Sequence, residues 1–178
     1  MIFYHIDRTN SLEVGQVVTL IKDFHEYPNS YKNVILKLYP EGLSRHGFVY
    51  STIHLGENNE DQQKETAFEL NRQLYFPDKI SRFQAFFCFQ TIEYASKFAR
   101  DYCKRWPEYK VYEVEVDHDN YFVGDMNLVL GSTVITSYID SHDYWSGGHS
   151  SNPIFEVLVK PPLKILSMVN TENRCEQI

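Results

Sequence analysis

The spacing of apolar side chains along the chain predicts short strands interleaved with amphipathic helices. Residues 2–6 are apolar and aromatic in a run too short for a helix, so they predict a first strand, broken by Arg8-Thr9-Asn10. Residues 14–24 carry Val14, Val17, Val18 and Ile21 at a spacing that fits neither a helix nor a strand cleanly. Residues 25–57 are rich in Pro, Tyr, Gly and His without a sustained period, which predicts a long loop holding short elements.

The clearest amphipathic helix covers 61–75. Ala67, Phe68, Leu70, Leu74 and Tyr75 form its apolar stripe, Gln62, Lys64, Glu65, Glu69 and Arg72 lie mostly elsewhere, and Pro77 stops it. Residues 83–89 are apolar on both faces after Gln84, as in a central strand covered from both sides. Thr91 then caps a predicted helix with Glu93 in its first turn and Lys104 and Arg105 in its last, complementing the helix dipole. Its stripe is Ile92, Ala95, Phe98, Ala99, Tyr102 and Cys103, and Pro107 ends it. Residues 109–116 alternate, with Tyr112, Val114 and Val116 opposed to Glu113 and Glu115. Residues 141–152, SHDYWSGGHSSN, read as a mobile loop of Gly and Ser around a Tyr-Trp pair. Two further strands are expected at 154–159 and 163–169, followed by a polar, frayed tail. The order describes an α+β domain organised around the strand and helix of 81–103, with one domain over 1–169 and a flexible tail over 170–178.

Composition narrows the function classes. A net charge of −7 argues against a broad nucleic-acid or membrane-surface footprint, which needs a basic face. Aromatics reach 15%, enough to fill a core and also to line a pocket for a flat ligand. Cys88, Cys103 and Cys175 form no CxxC pair, so neither a disulfide framework nor a zinc ribbon is expected. The first residues lack the basic region of a signal peptide, and no apolar run reaches membrane-spanning length, so a cytoplasmic location is expected.

P-loop, GxGxxG, HExxH and GxSxG motifs are all missing from the sequence, which leaves candidates on strands and strand ends. His5 sits in the strand Phe3-Tyr4-His5-Ile6; such a histidine is either a satisfied core residue or a hydrogen-bonding contact for a sugar hydroxyl. Arg8 at the strand end is a solvated cation or a fork for phosphate. Ser81 and Arg82 put a hydroxyl and a cation at the mouth of the strand containing Phe87. Glu156 shares a strand face with Ile154 and Leu158, so it is either an edge residue in water or a buried carboxylate that needs a partner. Asp117-His118-Asp119 and the pair His142 and His149 match no recurring metal-ligand spacing, and Cys88 reads as a buried, inert thiol.

The stretches FYHIDRTNSLEVGQVVTL and ETAFELNRQLYFPDKISRFQAFFCFQTIEYASKFA resemble a bacterial family carried as a domain of unknown function (number 2441). That family looks related to the ADP-ribosyltransferase fold, a mixed or antiparallel split sheet with flanking helices. Three core strands of that fold each offer one site position. The resemblance implies His5, with Arg8 as its alternative, at the first position, Ser81 with Arg82 beside it at the second, and Glu156 at the third. It implies NAD as substrate and an unknown protein or nucleic acid as acceptor of ADP-ribose. Cleavage of the nicotinamide–ribose bond builds oxocarbenium character on the sugar, which Glu156 would stabilise while holding the 2′-hydroxyl. His5 would fix the other ribose, and Arg8 or Arg82 would neutralise pyrophosphate. One of Phe87, Tyr94 or Trp145 would stack on nicotinamide, and the 144–148 loop would close over the site or meet the acceptor. The same resemblance allows a module that keeps the fold and binds a nucleotide or a protein without catalysis.

Overall fold

A computed structural model describes residues 1–24, 28–52, 60–101, 109–117, 119–130 and 133–169, apart from the side chains of Asn29 and Val134. Among these, seven strands form two sheets in which every pairing is antiparallel. The first contains β1 (Ile2–Asp7), β2 (Val17–Val18), β4 (Lys110–Glu115) and β7 (Leu163–Val169), in the order β1-β4-β7-β2. The second contains β3 (Phe86–Cys88), β5 (Tyr121–Asp125) and β6 (Phe155–Val159), in the order β3-β6-β5. A two-bond bridge joins them at one place: Tyr4 N–H donates to Phe89 O at 2.9 Å, and Phe89 N–H donates back to Tyr4 O at 2.7 Å.

Side-chain alternation along the strands separates three cores. Phe3, Tyr112, Val114 and Ile165 of the first sheet meet Cys88, Val157 and Val159 of the second. The far face of the second sheet, with Phe122 and Leu158, lies under α3 (Glu60–Tyr75) and α6 (Val134–Ser146), which contribute Phe68, Tyr144 and Trp145. The far face of the first sheet, with Ile6 and Val111, takes Ala95, Phe98 and Ala99 of α4 (Ile92–Asp101). The protein is therefore α+β, built of antiparallel sheets with flanking helices. No helix among the described residues is long and apolar enough to cross a membrane.

The strands expected at 2–6, 109–116, 154–159 and 163–169 are present, as is the helix after Thr91, whose hydroxyl accepts from Tyr94 N–H at 3.3 Å. Four readings need correction. The 25–57 stretch holds two helices, α1 (Asn29–Leu38) and α2 (Arg45–Thr52). The α2 backbone packs directly on another backbone, since a Cβ at Gly47 would fall 2.0 Å from Phe83 O. That contact needs no apolar periodicity. The 83–89 run is a strand only over three residues, because Ser81 caps a 3₁₀ turn at Arg82–Gln84 by accepting from Phe83 N–H at 3.1 Å.

The third correction concerns 141–152. Its first six residues end α6, which starts at a reciprocal Thr133–Thr136 capping box and stops at Gly147 in the left-handed region, φ 87. Tyr144 is thus a buried helical residue rather than part of a closing loop. Before it lie β5 and the short α5 (Met126–Val129), where the sequence pattern gave no element.

The fourth correction is the orientation of α3. The helix buries Gln62, Glu65, Glu69 and Asn71 with Phe68, and leaves Leu70, Leu74 and Tyr75 more than half exposed. Tyr102, Cys103, Lys104, Arg105, Pro107, His118 and the tail from 170 lie outside the described residues.

Candidate functional site

Two carboxylates one helical turn apart explain the α3 orientation. Glu65 and Glu69 point at consecutive residues, Arg82 and Ser81, at the entrance to β3. The Arg82 guanidinium holds Glu65 in a fork, Nε to Oε2 and Nη2 to Oε1, both at 2.8 Å. Its remaining nitrogen, Nη1, donates to Tyr144 Oη at 3.0 Å and to Glu156 Oε1, and the Tyr144 hydroxyl donates to the same Glu156 oxygen at 2.8 Å. The Phe87 ring lies beneath the cation, 4.9 Å from centroid to guanidinium carbon. Gly124 makes room for the phenol, since a Cβ there would come within 2.3 Å of the Tyr144 ring.

Arg82, Glu65 and Glu156 are each at most 5% exposed, so these are ions taken out of water. Such a group persists only when each charge is paired and hydrogen-bonded. Burial works against ionisation of Glu65, but the Arg82 guanidinium and its hydrogen bonds, with the nearby His46 ring, prevail and hold it far below the ordinary range. Burial likewise opposes the Arg82 charge, and Glu156 with Glu65 outweighs it. Burial and the Glu156 charge push the Tyr144 phenol far up, so it stays a donor. His46 of α2 stands at the rim with Nε2 3.2 Å from Glu65 Oε1, an ion-pair distance without the alignment of a good hydrogen bond. Its ring packs 4.6 Å from both Phe87 and Tyr50.

Glu69 is the second node. It accepts from the Ser81 hydroxyl at 2.7 Å, the Tyr39 hydroxyl at 3.1 Å, Gln73 at 3.0 Å and the Arg72 guanidinium at 2.8 Å. Ser81 also accepts from Phe83 N–H, so both of its hydrogen-bonding roles are taken within the fold.

His5 occupies the other face of the second sheet's edge. Its Nδ1 lies 2.7 Å from Phe87 O. A carbonyl only accepts, so Nδ1 carries the hydrogen and Nε2 presents a lone pair. Burial lowers its pKa to about 4, against a smaller opposing pull from the Phe87 carbonyl, and keeps the ring neutral near pH 7. The ring stacks on Phe86 at 4.1 Å. Just beyond, Asp7 closes the turn after β1 by accepting from the backbone N–H groups of Thr9, Ser11 and Leu12 at 2.7–2.9 Å. Burial raises its pKa, but these bonds and the Thr9 hydroxyl bring it below the usual carboxylate range.

The structure thus gathers Arg82, Glu156 and Phe87 in one cluster, with Ser81 on its flank. His5 meets that cluster only through Phe87, whose carbonyl it holds while the Phe87 ring supports Arg82. Phe86 belongs to the core between the sheets and Phe87 to the core under α3, so His5 and Glu156 serve opposite faces. Arg8 is exposed at the end of β1, and Tyr94 is exposed on α4. Trp145 is fully enclosed, its indole N–H donating to Phe68 O at 2.8 Å. Among the described residues no group of three or more His, Cys, Asp or Glu side chains could hold a metal ion. Burial raises the Cys88 pKa far above that of a free thiol, which leaves it unreactive.

Glu65 and His46 had no place among the sequence candidates. The only sequence signal for Glu65 was the acidic pair at i, i+4 on an otherwise mixed helix, and nothing in the chain's periodicity directs it to Arg82.

The match to known families agrees with this extent. The family described as Protein of unknown function (DUF2441) matches residues 3–171, and the chain belongs to it. No curated protein is similar enough to count as a match.

Proposed function

We propose that this chain is an ADP-ribosyltransferase-like domain that holds NAD at the split between its two sheets. The carrying observation is His5: a neutral imidazole with its tautomer fixed by Phe87 O, half-buried, offering Nε2 as an acceptor. Such a group suits a ribose hydroxyl, which must donate to it. Two further features support the reading. The strands bearing or following the three positions named by the resemblance are neighbours, β1 bridged to Phe89 just after β3 and β3 paired with β6. The stacked Phe86 offers an aromatic face beside His5.

A second reading, a binding module of the same fold without turnover, draws on Glu156. Its carboxylate is 4% exposed and accepts from both Arg82 and Tyr144. To stabilise an oxocarbenium ion it would have to exchange those partners for substrate, and separating a buried ion pair costs several kcal/mol.

Calorimetric titration of NAD, with nicotinamide release followed in parallel, tests both readings. Saturable binding weakened at least tenfold in His5→Ala is expected. Release that vanishes in Glu156→Gln would establish the transferase. Binding without release selects the silent module, and absence of NAD binding ends the transferase reading and leaves the module only as a binder of another nucleotide or of a protein.

A further inference from the structure

The two helices over the second sheet are inside out along one edge. On α6, Ser137 and Ser141 are buried while Ile135, Tyr138 and Ile139 face water, Ile135 at 75% exposure. On α3, Glu69 and Asn71 are buried while Leu70, Leu74 and Tyr75 face water, Leu74 at 62%. The Tyr75 and Tyr138 hydroxyls approach to 3.5 Å, so the two stripes form one continuous surface. Helices that pack on a sheet normally turn such stripes inward. Here the ion cluster occupies the inner face, and six large apolar side chains remain outside.

We infer that this α3–α6 surface is where a second copy of the chain docks, forming a symmetric dimer. The area fits. All six, two tyrosines and four leucines or isoleucines, are more than half exposed, so at on the order of 100 Å² each they supply about 600 Å² of contact. With a polar rim added, that reaches the roughly 800 Å² per partner of a standard stable interface. It also stands at the top of the range of about 300–600 Å² for the largest patch on a monomer. None of the six is charged, and the two phenol groups satisfy each other, so an identical surface can cover them without burying an unpaired ion. The net charge of −7 opposes association only weakly at physiological salt, where screening acts over about 8 Å. A membrane surface fits poorly, because α6 carries no Lys or Arg to meet anionic headgroups.

Sedimentation equilibrium of the full chain between about 1 and 100 µM tests the inference in the range where standard interfaces associate. The expected mass rises from 21.0 kDa toward twice that value, and Ile135→Glu and Leu74→Glu each weaken association at least tenfold. Both positions face solvent in the monomer, so an unchanged unfolding transition and circular dichroism spectrum separate lost association from lost fold. A wild type that stays monomeric at the highest concentration overturns the inference and leaves the surface to a different protein. A dimer that persists in both variants overturns it equally, by placing the interface elsewhere.

Discussion

Helices α3 and α4 each cover one sheet, and they do so by opposite rules. In α4, Ala95, Phe98 and Ala99 turn inward, with Glu93 at the start and Arg100 at the end of the helix. In α3, Glu65 and Glu69 turn inward beside Phe68, and Leu70 and Leu74 turn out. Burial of apolar area fixes the rotation of α4. Pairing with Arg82 and Ser81 fixes the rotation of α3, because carboxylates turned outward would leave two nitrogens of a buried guanidinium, Nε and Nη2, without the Glu65 fork. A hydrophobic stripe therefore orients a helix only where no stronger obligation sits beneath it.

The largest effect is expected from removing that obligation. Arg82→Met strands two buried carboxylates, and breaking a buried pair on one side costs about 3–5 kcal/mol. The comparison predicts more than the loss: combining Arg82→Met with Glu65→Leu and Glu156→Leu should recover most of it, since apolar residues can replace a complete ion group at little cost. Urea unfolding of the single and triple variants measures both. A loss below about 1 kcal/mol for the single variant would mean that water reaches the cluster.

Phe98→Ala is the matching change on α4, and about 3 kcal/mol is expected from lost burial and the cavity left behind. No companion substitution should restore it, because there is no orphaned charge to relieve. A pH series separates the two losses. Glu65 is held below its ordinary range in the folded state, so its contribution is present above pH 4.5 and is lost as pH falls toward its folded pKa. In Phe98→Ala that acid-dependent loss should persist unchanged, whereas in Arg82→Met it should shrink.

The same contrast explains how far the sequence could be read. Periodicity located β1, β4, β6 and β7 and the helix α4, all elements whose inward faces are mostly apolar. It also found α3 as a helix but turned it the wrong way, since alternation and heptad-like spacing carry no information about which charges will meet. It passed over α2 and β5, where a glycine stands at a close approach, Gly47 against the Phe83 backbone and Gly124 against the Tyr144 ring. Glycine at a close contact leaves no hydrophobic signature. Within the candidate site, Arg82 and Glu156 were visible as polar residues on apolar strands, but their union was not, because it depends on Glu65 and Tyr144 arriving from two different helices.

His5 offers a smaller and more sharply defined effect. Its folded pKa of about 4 lies below the ordinary histidine value of 6.5, so the unfolded chain binds a proton that the folded chain refuses. The contribution is complete above pH 6.5 and is lost as pH falls toward 4, with a ceiling of about 3 kcal/mol at 1.36 kcal/mol per pKa unit. Urea midpoints for the wild type and His5→Gln, compared over that window, should diverge in slope by one proton. If the two curves stay parallel, His5 is hydrated and its tautomer is not fixed by Phe87.

The smallest expected effect is the most telling for the comparison. Leu70→Gln on α3 removes a leucine from the sequence stripe that an amphipathic reading would bury, where a core leucine loss costs about 2–5 kcal/mol. Because Leu70 is more than half exposed in the folded chain, the predicted change in dilute monomer is within about 0.5 kcal/mol. At Ala99 of α4, fully buried against the first sheet, the polar substitution Ala99→Gln should instead destabilise by overpacking and by stranding an amide, about 1–3 kcal/mol from each cause. Measured side by side by thermal unfolding at low concentration, the pair tests the rotation of both helices at once. A Leu70→Gln loss as large as the Ala99→Gln loss would turn α3 back to the orientation its hydrophobic stripe prescribes, and would remove Glu65 from Arg82.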